Sequence, residues 1–115
     1  MAKKRDINIY IQDIWESILY IEEYIKHVNL IDFKNSTEKQ DAVIRRLEII
    51  GEAVKRVPDD IRKKYPSVPW REISGMRDIV IHEYFGVSIE MVWKVAVSDL
   101  KQLKREIRKL KKELK

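Results

Sequence analysis

Ile7, Ile11, Ile14, Ile18, Ile21, Ile25 and Val28 follow one another at intervals of three and four residues, with mostly polar or charged side chains between them. That interval matches the pitch of an α-helix and gathers the apolar groups into one stripe. It predicts a helix over about residues 6–31, with Asp6 placed to cap it. Asp32 to Thr37 (DFKNST) reads as a polar connection, and Thr37 followed by Gln40 has the spacing of a capping box opening the next helix. Val43, Ile44, Leu47, Ile50, Val54 and Val57 carry that second stripe to Pro58, which cannot continue a helix. Pro58, Asp59 and Asp60 suit the start of a short helical turn reaching about Lys64, and the two prolines of Tyr65 to Pro69 (YPSVP) impose a loop. A third substantial helix is predicted from Trp70 to about Tyr84, ended by Gly86, with Ser88 capping a final one. In that last helix Trp93, Ala96, Leu100, Leu103, Ile107, Leu110 and Leu114 form a narrow seam fit to pack against another helix. The chain shows no internal repeat. The expected architecture is all-α: a four-helix, up-and-down antiparallel bundle with one short extra helical turn, forming a single domain over residues 1–115.

Composition narrows the function classes. With no cysteine, the chain has no disulfide, thiolate metal site or cysteine nucleophile. The longest apolar runs fall far short of the roughly 20 residues a membrane span requires, and the basic N-terminus is not followed by a signal-peptide core, so a cytoplasmic protein is expected. The net charge of +5 is unevenly distributed, because residues 101–115 carry +6 and residues 1–100 carry −1. The basicity therefore belongs to a C-terminal helical extension, where it could strengthen attraction to phosphate, and is not a property of the whole domain.

Candidate chemistry concentrates in Gly75 to Val87, GMRDIVIHEYFGV. On a helix Arg77 and Tyr84 fall within about 20° of each other, and Asp78 and His82 form an i, i+4 pair about 40° apart. Histidine both takes and gives protons near neutrality, and a carboxylate one turn away would orient its ring. Arginine offers a rigid fork of donors matched to phosphate, which together suggests phosphodiester chemistry without a metal. The same residue types also fit a satisfied core histidine beside structural ion pairs, and spacing does not separate the two readings. His27 stands on the polar flank of the first helix with no ligand pattern nearby, so no metal site is expected. Glu48 and Glu52 are flanked by Arg45, Arg46, Lys55 and Arg56 and read as a solvated face. Trp15, Trp70 and Trp93 read as packing residues, with no interleaved basic and aromatic surface to make them a stacking platform.

The run Asp41 to Ala53 (DAVIRRLEIIGEA), the segment Val68 to Arg77 (VPWREISGMR) and Arg77 to Gly86 (RDIVIHEYFG) followed by Val92 and Trp93 resemble the HepT-like family of HEPN-domain proteins over about residues 5–100. The shared signature is arginine, four residues, histidine, one residue, tyrosine: Arg77, His82 and Tyr84. The resemblance implies a metal-independent RNA endonuclease without cofactor, acting as the toxin of a type VII-like HEPN/MNT toxin–antitoxin pair. It assigns His82 to proton transfer and Arg77 to the phosphate, and it implies a homodimer whose two motifs meet in one cleft. Such pairing would answer the divergence of Arg77 and His82, about 140° apart on one helix. Asp78 stands where many HEPN proteins have asparagine, and its carboxylate would lower the local positive charge and raise the His82 pKa. The resemblance also implies that a cognate minimal nucleotidyltransferase transfers AMP to Tyr84, setting a bulky anion beside Arg77 and blocking the cleft. A non-catalytic helical module that binds a nucleotidyltransferase partner is the alternative from a different class. A small nucleotide-binding domain is disfavoured by the absence of a phosphate loop.

Overall fold

The computed structural model describes residues 4–71, 73–75 and 88–113, with side chains from residue 7 onward. Helix α1 spans Lys4–Ile25, α2 Leu30–Lys34, α3 Thr37–Lys55 and α4 Asp59–Lys64. Residues 70–71 and 73–75 are helical as well. Helix α5, Ile89–Lys94, passes through one widened π turn, Val95–Asp99, into α6, Leu100–Glu113. The described residues contain no β-strand, and the protein is an all-α bundle.

The apolar stripes bury as their spacing predicts. On α1, Ile7, Ile11, Ile14, Ile18 and Ile21 are buried; on α3, Val43, Ile44, Leu47, Ile50 and Val54; on α6, Leu100, Leu103, Ile107 and Leu110. Burying each of these larger aliphatic side chains is worth about 1.5–3 kcal/mol against leaving it in water. Isoleucine is held near one χ1 rotamer in a helix, so the stripe loses little further freedom when it packs. Directions follow from the contacts. Lys104 of α6 reaches Glu22 while Arg108 and Lys111 reach Trp15, and Asp13 of α1 shares a hollow with Ala53 and Arg56 near the end of α3. Helix α1 is therefore antiparallel to both α3 and α6. The π turn accommodates an extra residue in its turn, so Val95 and Ala96 are both buried and Leu100 stays on the same seam.

Four local expectations need correction. Asp6 lies inside α1, which starts by Lys4, and is not its cap. The first helix stops at Ile25 because His27 takes a left-handed backbone (φ 61°), which ends the ladder before Val28. The stretch after it is not an open connection: the Asn29 side chain accepts from the Asp32 N–H at 2.8 Å and starts α2, whose Phe33 is fully buried. The cap of α3 is Ser36, which accepts from the Lys39 N–H at 3.2 Å, with Thr37 one step inside the helix. Gln40 donates to the carbonyls of Phe33 (2.9 Å) and Lys34 (3.0 Å), satisfying the end of α2 and not closing a capping box. The predicted third helix begins at Trp70 as expected, and its continuation to Tyr84 and Gly86 lies outside the described residues, as does Leu114.

Pro58 ends the second stripe, and α4 supplies the C-terminal cap of α3 from outside. Arg62 donates from Nε to the Val57 carbonyl at 3.0 Å and from Nη2 to the Val54 carbonyl at 2.6 Å. The Val54 carbonyl already accepts from the Val57 N–H at 3.1 Å, so the guanidinium adds a charge-assisted bond to it, satisfies the Val57 carbonyl and complements the negative end of the dipole. Replacing it by methionine keeps much of the packing and removes both donors. Arg62→Met is expected to lower the unfolding free energy by about 1.5–3 kcal/mol, read by urea denaturation as a lower midpoint with an unchanged slope.

Candidate functional site

Arg77, Asp78, His82 and Tyr84 lie outside the described residues, so the structure supplies the frame on either side of them. On the N-terminal side the 65–69 loop is tied to α6. The Tyr65 hydroxyl donates to the Glu113 carboxylate, and Ser67 Oγ donates to Glu106 at 2.7 Å. Trp70 Nε1 donates to the Tyr65 carbonyl at 3.0 Å, and Trp70 and Ile73 are buried against the core. The Ser67 hydroxyl is the main cause holding the Glu106 carboxyl below its usual range, with Lys109 and Arg105 adding to it. The hydrogen bond to Glu113 raises the Tyr65 pKa, since ionising the phenol would set two anions together.

On the C-terminal side Ser88 caps α5, accepting from the Met91 N–H at 3.3 Å and donating to Glu90 at 3.0 Å. Helix α5 is fastened to α2 at two points. Lys34 Nζ lies 2.6 Å from Glu90, and the rings of Phe33 and Trp93 pack with centroids 5.2 Å apart at 43°. The Lys34 ammonium holds the Glu90 carboxyl down at about 2, helped by the backbone N–H of Glu90 and by Ser88. The described residues on either side are thus moored, the 65–69 loop and Trp70 on the N-terminal side to α6 and the core, and the start of α5 on the C-terminal side to α2.

Elsewhere the polar groups sort into separate clusters. Glu48 pairs with Arg45 at 3.4 Å, and Glu52 lines a hollow of about 140 Å³ with Asp13, Arg45 and Arg56, as a solvated face should. Among the described residues no group of three or more His, Cys, Asp or Glu side chains could hold a metal ion, and no helix is long and apolar enough to cross a membrane. Trp70 is core and Trp93 packs on Phe33, as expected for packing residues. Trp15 is half-buried on the flank of α1 facing α6, and three cations surround its ring: Lys111 at 4.7 Å from the centroid, Arg108 at 5.6 Å and Lys104 at 5.8 Å. On the other flank the Arg46 guanidinium stacks 4.1 Å over Tyr20, which stacks in turn on Tyr24. Trp15 is thus a packing residue as expected, while the expectation that no basic surface accompanies the tryptophans is overturned for it. Its signal was present in the i, i+4, i+7 spacing of Lys104, Arg108 and Lys111, but only the antiparallel pairing of α6 with α1 brings that stripe onto an aromatic ring.

An all-α bundle that carries the Arg77, His82 and Tyr84 run between its Trp70 helix and its Ser88 cap is of the HEPN class. Within that class the chain belongs to the ribonuclease HepT-like family, which it matches over residues 14–110. A protein of Thermococcus cleftensis named "Probable ribonuclease HepT" is 45% identical over 109 residues, covering 95% of this chain and 99% of that one. A protein of Methanocaldococcus jannaschii named "Gamma-glutamylcyclotransferase and putative RNase" is 50% identical over 111 residues, which are 96% of this chain; the chain spans only 50% of that relative's length. No solved structure matches the chain.

The Glu90 anchor makes a pH-dependent prediction. Because the folded carboxyl sits at about 2 against an ordinary value of 4.5, the ion pair stabilises the protein fully above about pH 4.5 and is lost as pH falls toward 2. NMR titration at low salt should find Glu90 near 2, moving toward 4.5 in Lys34→Met, whose stability penalty should shrink between pH 5 and pH 2. A wild-type Glu90 titrating near 4.5 would mean that the pair does not form in solution.

Proposed function

We propose that the protein is the RNA endonuclease toxin of a toxin–antitoxin pair, with an active site assembled from the Arg77–His82 motifs of two identical chains. The observation that carries this reading is the Arg77, His82 and Tyr84 spacing in a chain that belongs to the ribonuclease HepT-like family. RNA supplies its own nucleophile. A His82 imidazole removes the proton of a 2′-hydroxyl, the oxygen attacks the adjacent phosphorus, and the bond to the 5′-oxygen breaks as that oxygen takes a proton. The products are a cyclic phosphate and a 5′-hydroxyl, and no metal-activated water is required. Arg77 stabilises the negative charge that builds on the non-bridging oxygens of the phosphate in the transition state. Asp78 orients the His82 ring and favours its protonated form.

Tyr84 is the switch. A cognate nucleotidyltransferase attaches AMP to its hydroxyl oxygen with release of pyrophosphate from ATP, placing an anion that competes with RNA phosphate for Arg77. The protein acts in the cytoplasm, where ATP, RNA and the partner enzyme meet.

His82→Ala should lower the cleavage rate of purified protein by about 10²–10⁴-fold, and Arg77→Ala by about 10²–10³-fold, with and without EDTA and with dimer size unchanged in light scattering. Full cleavage by either stable variant would reject the site, and wild-type cleavage no faster than His82→Ala would leave a binding module in place of an enzyme. Mass spectrometry after incubation with partner and ATP should find AMP on Tyr84, and labelling that persists in Tyr84→Phe would move the acceptor elsewhere.

A further inference from the structure

The flank where α1 meets α6 concentrates positive charge on rigid scaffolding. Lys104, Arg108 and Lys111 occupy one stripe of α6 and converge on Trp15. The ring's negative face holds each cation in place, while the three repel one another and create a demand for an anion. Among the described residues Glu22 meets that demand only at Lys104, with both its oxygens at 2.9 Å. The acids of α6 itself do not help, because Glu106 and Glu113 are engaged by Ser67 and Tyr65 of the loop. From Lys104 to Lys111 the stripe covers about 10 Å of helix axis, the reach of a short stretch of nucleic-acid backbone.

Below Lys104 the flank opens into a groove of about 670 Å³ between the end of α1 and the π turn. Its floor is apolar, with Leu19, Ile25, Val97 and Leu100, and Lys26 and Lys101 stand on its rim. Glu22 and Glu23 are the acids of its wall, and Glu22 is the one neutralised by Lys104. Phosphate-binding cations leading into an apolar trough fit a polyanion that also carries flat apolar faces. A single strand offers both, since its bases are free of a duplex.

We propose that the α1–α6 flank captures single-stranded RNA, with Arg108 and Lys111 on successive phosphates, Lys104 held by Glu22 beside them, and the neighbouring groove receiving an unstacked base. The choice of RNA rests on the ribonuclease reading; the need for a strand-like polyanion rests on the flank itself. None of these residues belongs to the Arg77, His82 and Tyr84 motif.

The test measures binding apart from cleavage. In a His82→Ala background, the affinity for a fluorescent single-stranded RNA is followed by anisotropy over a salt series, in Arg108→Gln/Lys111→Gln and in the charge-preserving Arg108→Lys/Lys111→Arg. Neutralising two phosphate-contacting cations should reduce the slope of log affinity against log salt by about 1.4 and weaken binding up to about 25-fold near 0.1 M salt. The charge-preserving pair should keep both values, and circular dichroism should show both proteins folded. Unchanged affinity and slope in the folded Gln/Gln protein would overturn the proposal, including the case in which that protein instead loses capture of an acidic protein partner. Flank-dependent binding by a wild-type chain that cuts no RNA would sink the ribonuclease reading and leave this one standing. Normal cleavage with flank-independent binding would do the reverse.

Discussion

The isoleucine stripe of α1 is the constraint on which the rest of the bundle depends. Ile11, Ile14, Ile18 and Ile21 are almost wholly excluded from water between α3 and α6, and both neighbours run antiparallel to α1. A helix buried along one stripe and contacted by two partners has two flanks left at the edges of those contacts. On one flank Tyr20 meets Arg46, and on the other Trp15 meets Lys104, Arg108 and Lys111. The aromatic rings lie where the apolar interior gives way to solvent, and an amphipathic ring is suited to that boundary. The positions of the cationic clusters thus follow from the packing of the core.

Charge is sorted by the same geometry. Helix α6 is basic, yet its two described acids both point to the 65–67 loop, where Ser67 and Tyr65 bind them. Those bonds moor the loop that leads into Trp70 and the motif segment. They also strip the opposite side of the helix of carboxylates, so one arrangement fixes a connection and polarises a surface. At the other end of the α5–α6 span, Lys34 and Glu90 repeat the pattern at smaller scale, with an ion pair used to hold a helix start against α2. Neither exposed pair is a large source of stability; their effect is positional.

The elements legible in the sequence were those set by period and by proline. The stripes of α1, α3 and α6, the stop at Pro58, the turn at Asp59 and the cap at Ser88 each follow from residues acting over one or two helical turns. What escaped depended on single residues or on tertiary pairing. His27 gives only a weak sequence sign of a left-handed backbone: histidine is enriched there among non-glycine residues, yet most histidines do not adopt one. Phe33 is a lone apolar residue in a polar run, so the burial that makes α2 worth forming shows no periodicity. Gln40 had the right spacing for a capping box and a better use in the carbonyls of Phe33 and Lys34, which a reader of the sequence could not know were nearby. The Arg77, Asp78, His82 and Tyr84 set was legible as residue types and as a family signature, whereas the cations around Trp15 escaped because they lie about 90 residues away.

Placing strand capture and bond cleavage on different residues has a consequence for how silencing would work. In the proposed reaction a 2′-hydroxyl nucleophile would require the phosphate beside it to be aligned, so the chemistry would tolerate little displacement at Arg77 and His82. Capture by counterion release tolerates a great deal, because it depends on charge number and hardly on sequence or register. An anion attached to Tyr84 would compete for Arg77 but leave Lys104, Arg108 and Lys111 as they were. Its effect would fall on the step with the narrow geometric requirement and spare the permissive one. A modified protein would then retain RNA without cutting it, and removal of the AMP would restore cleavage without a fresh encounter.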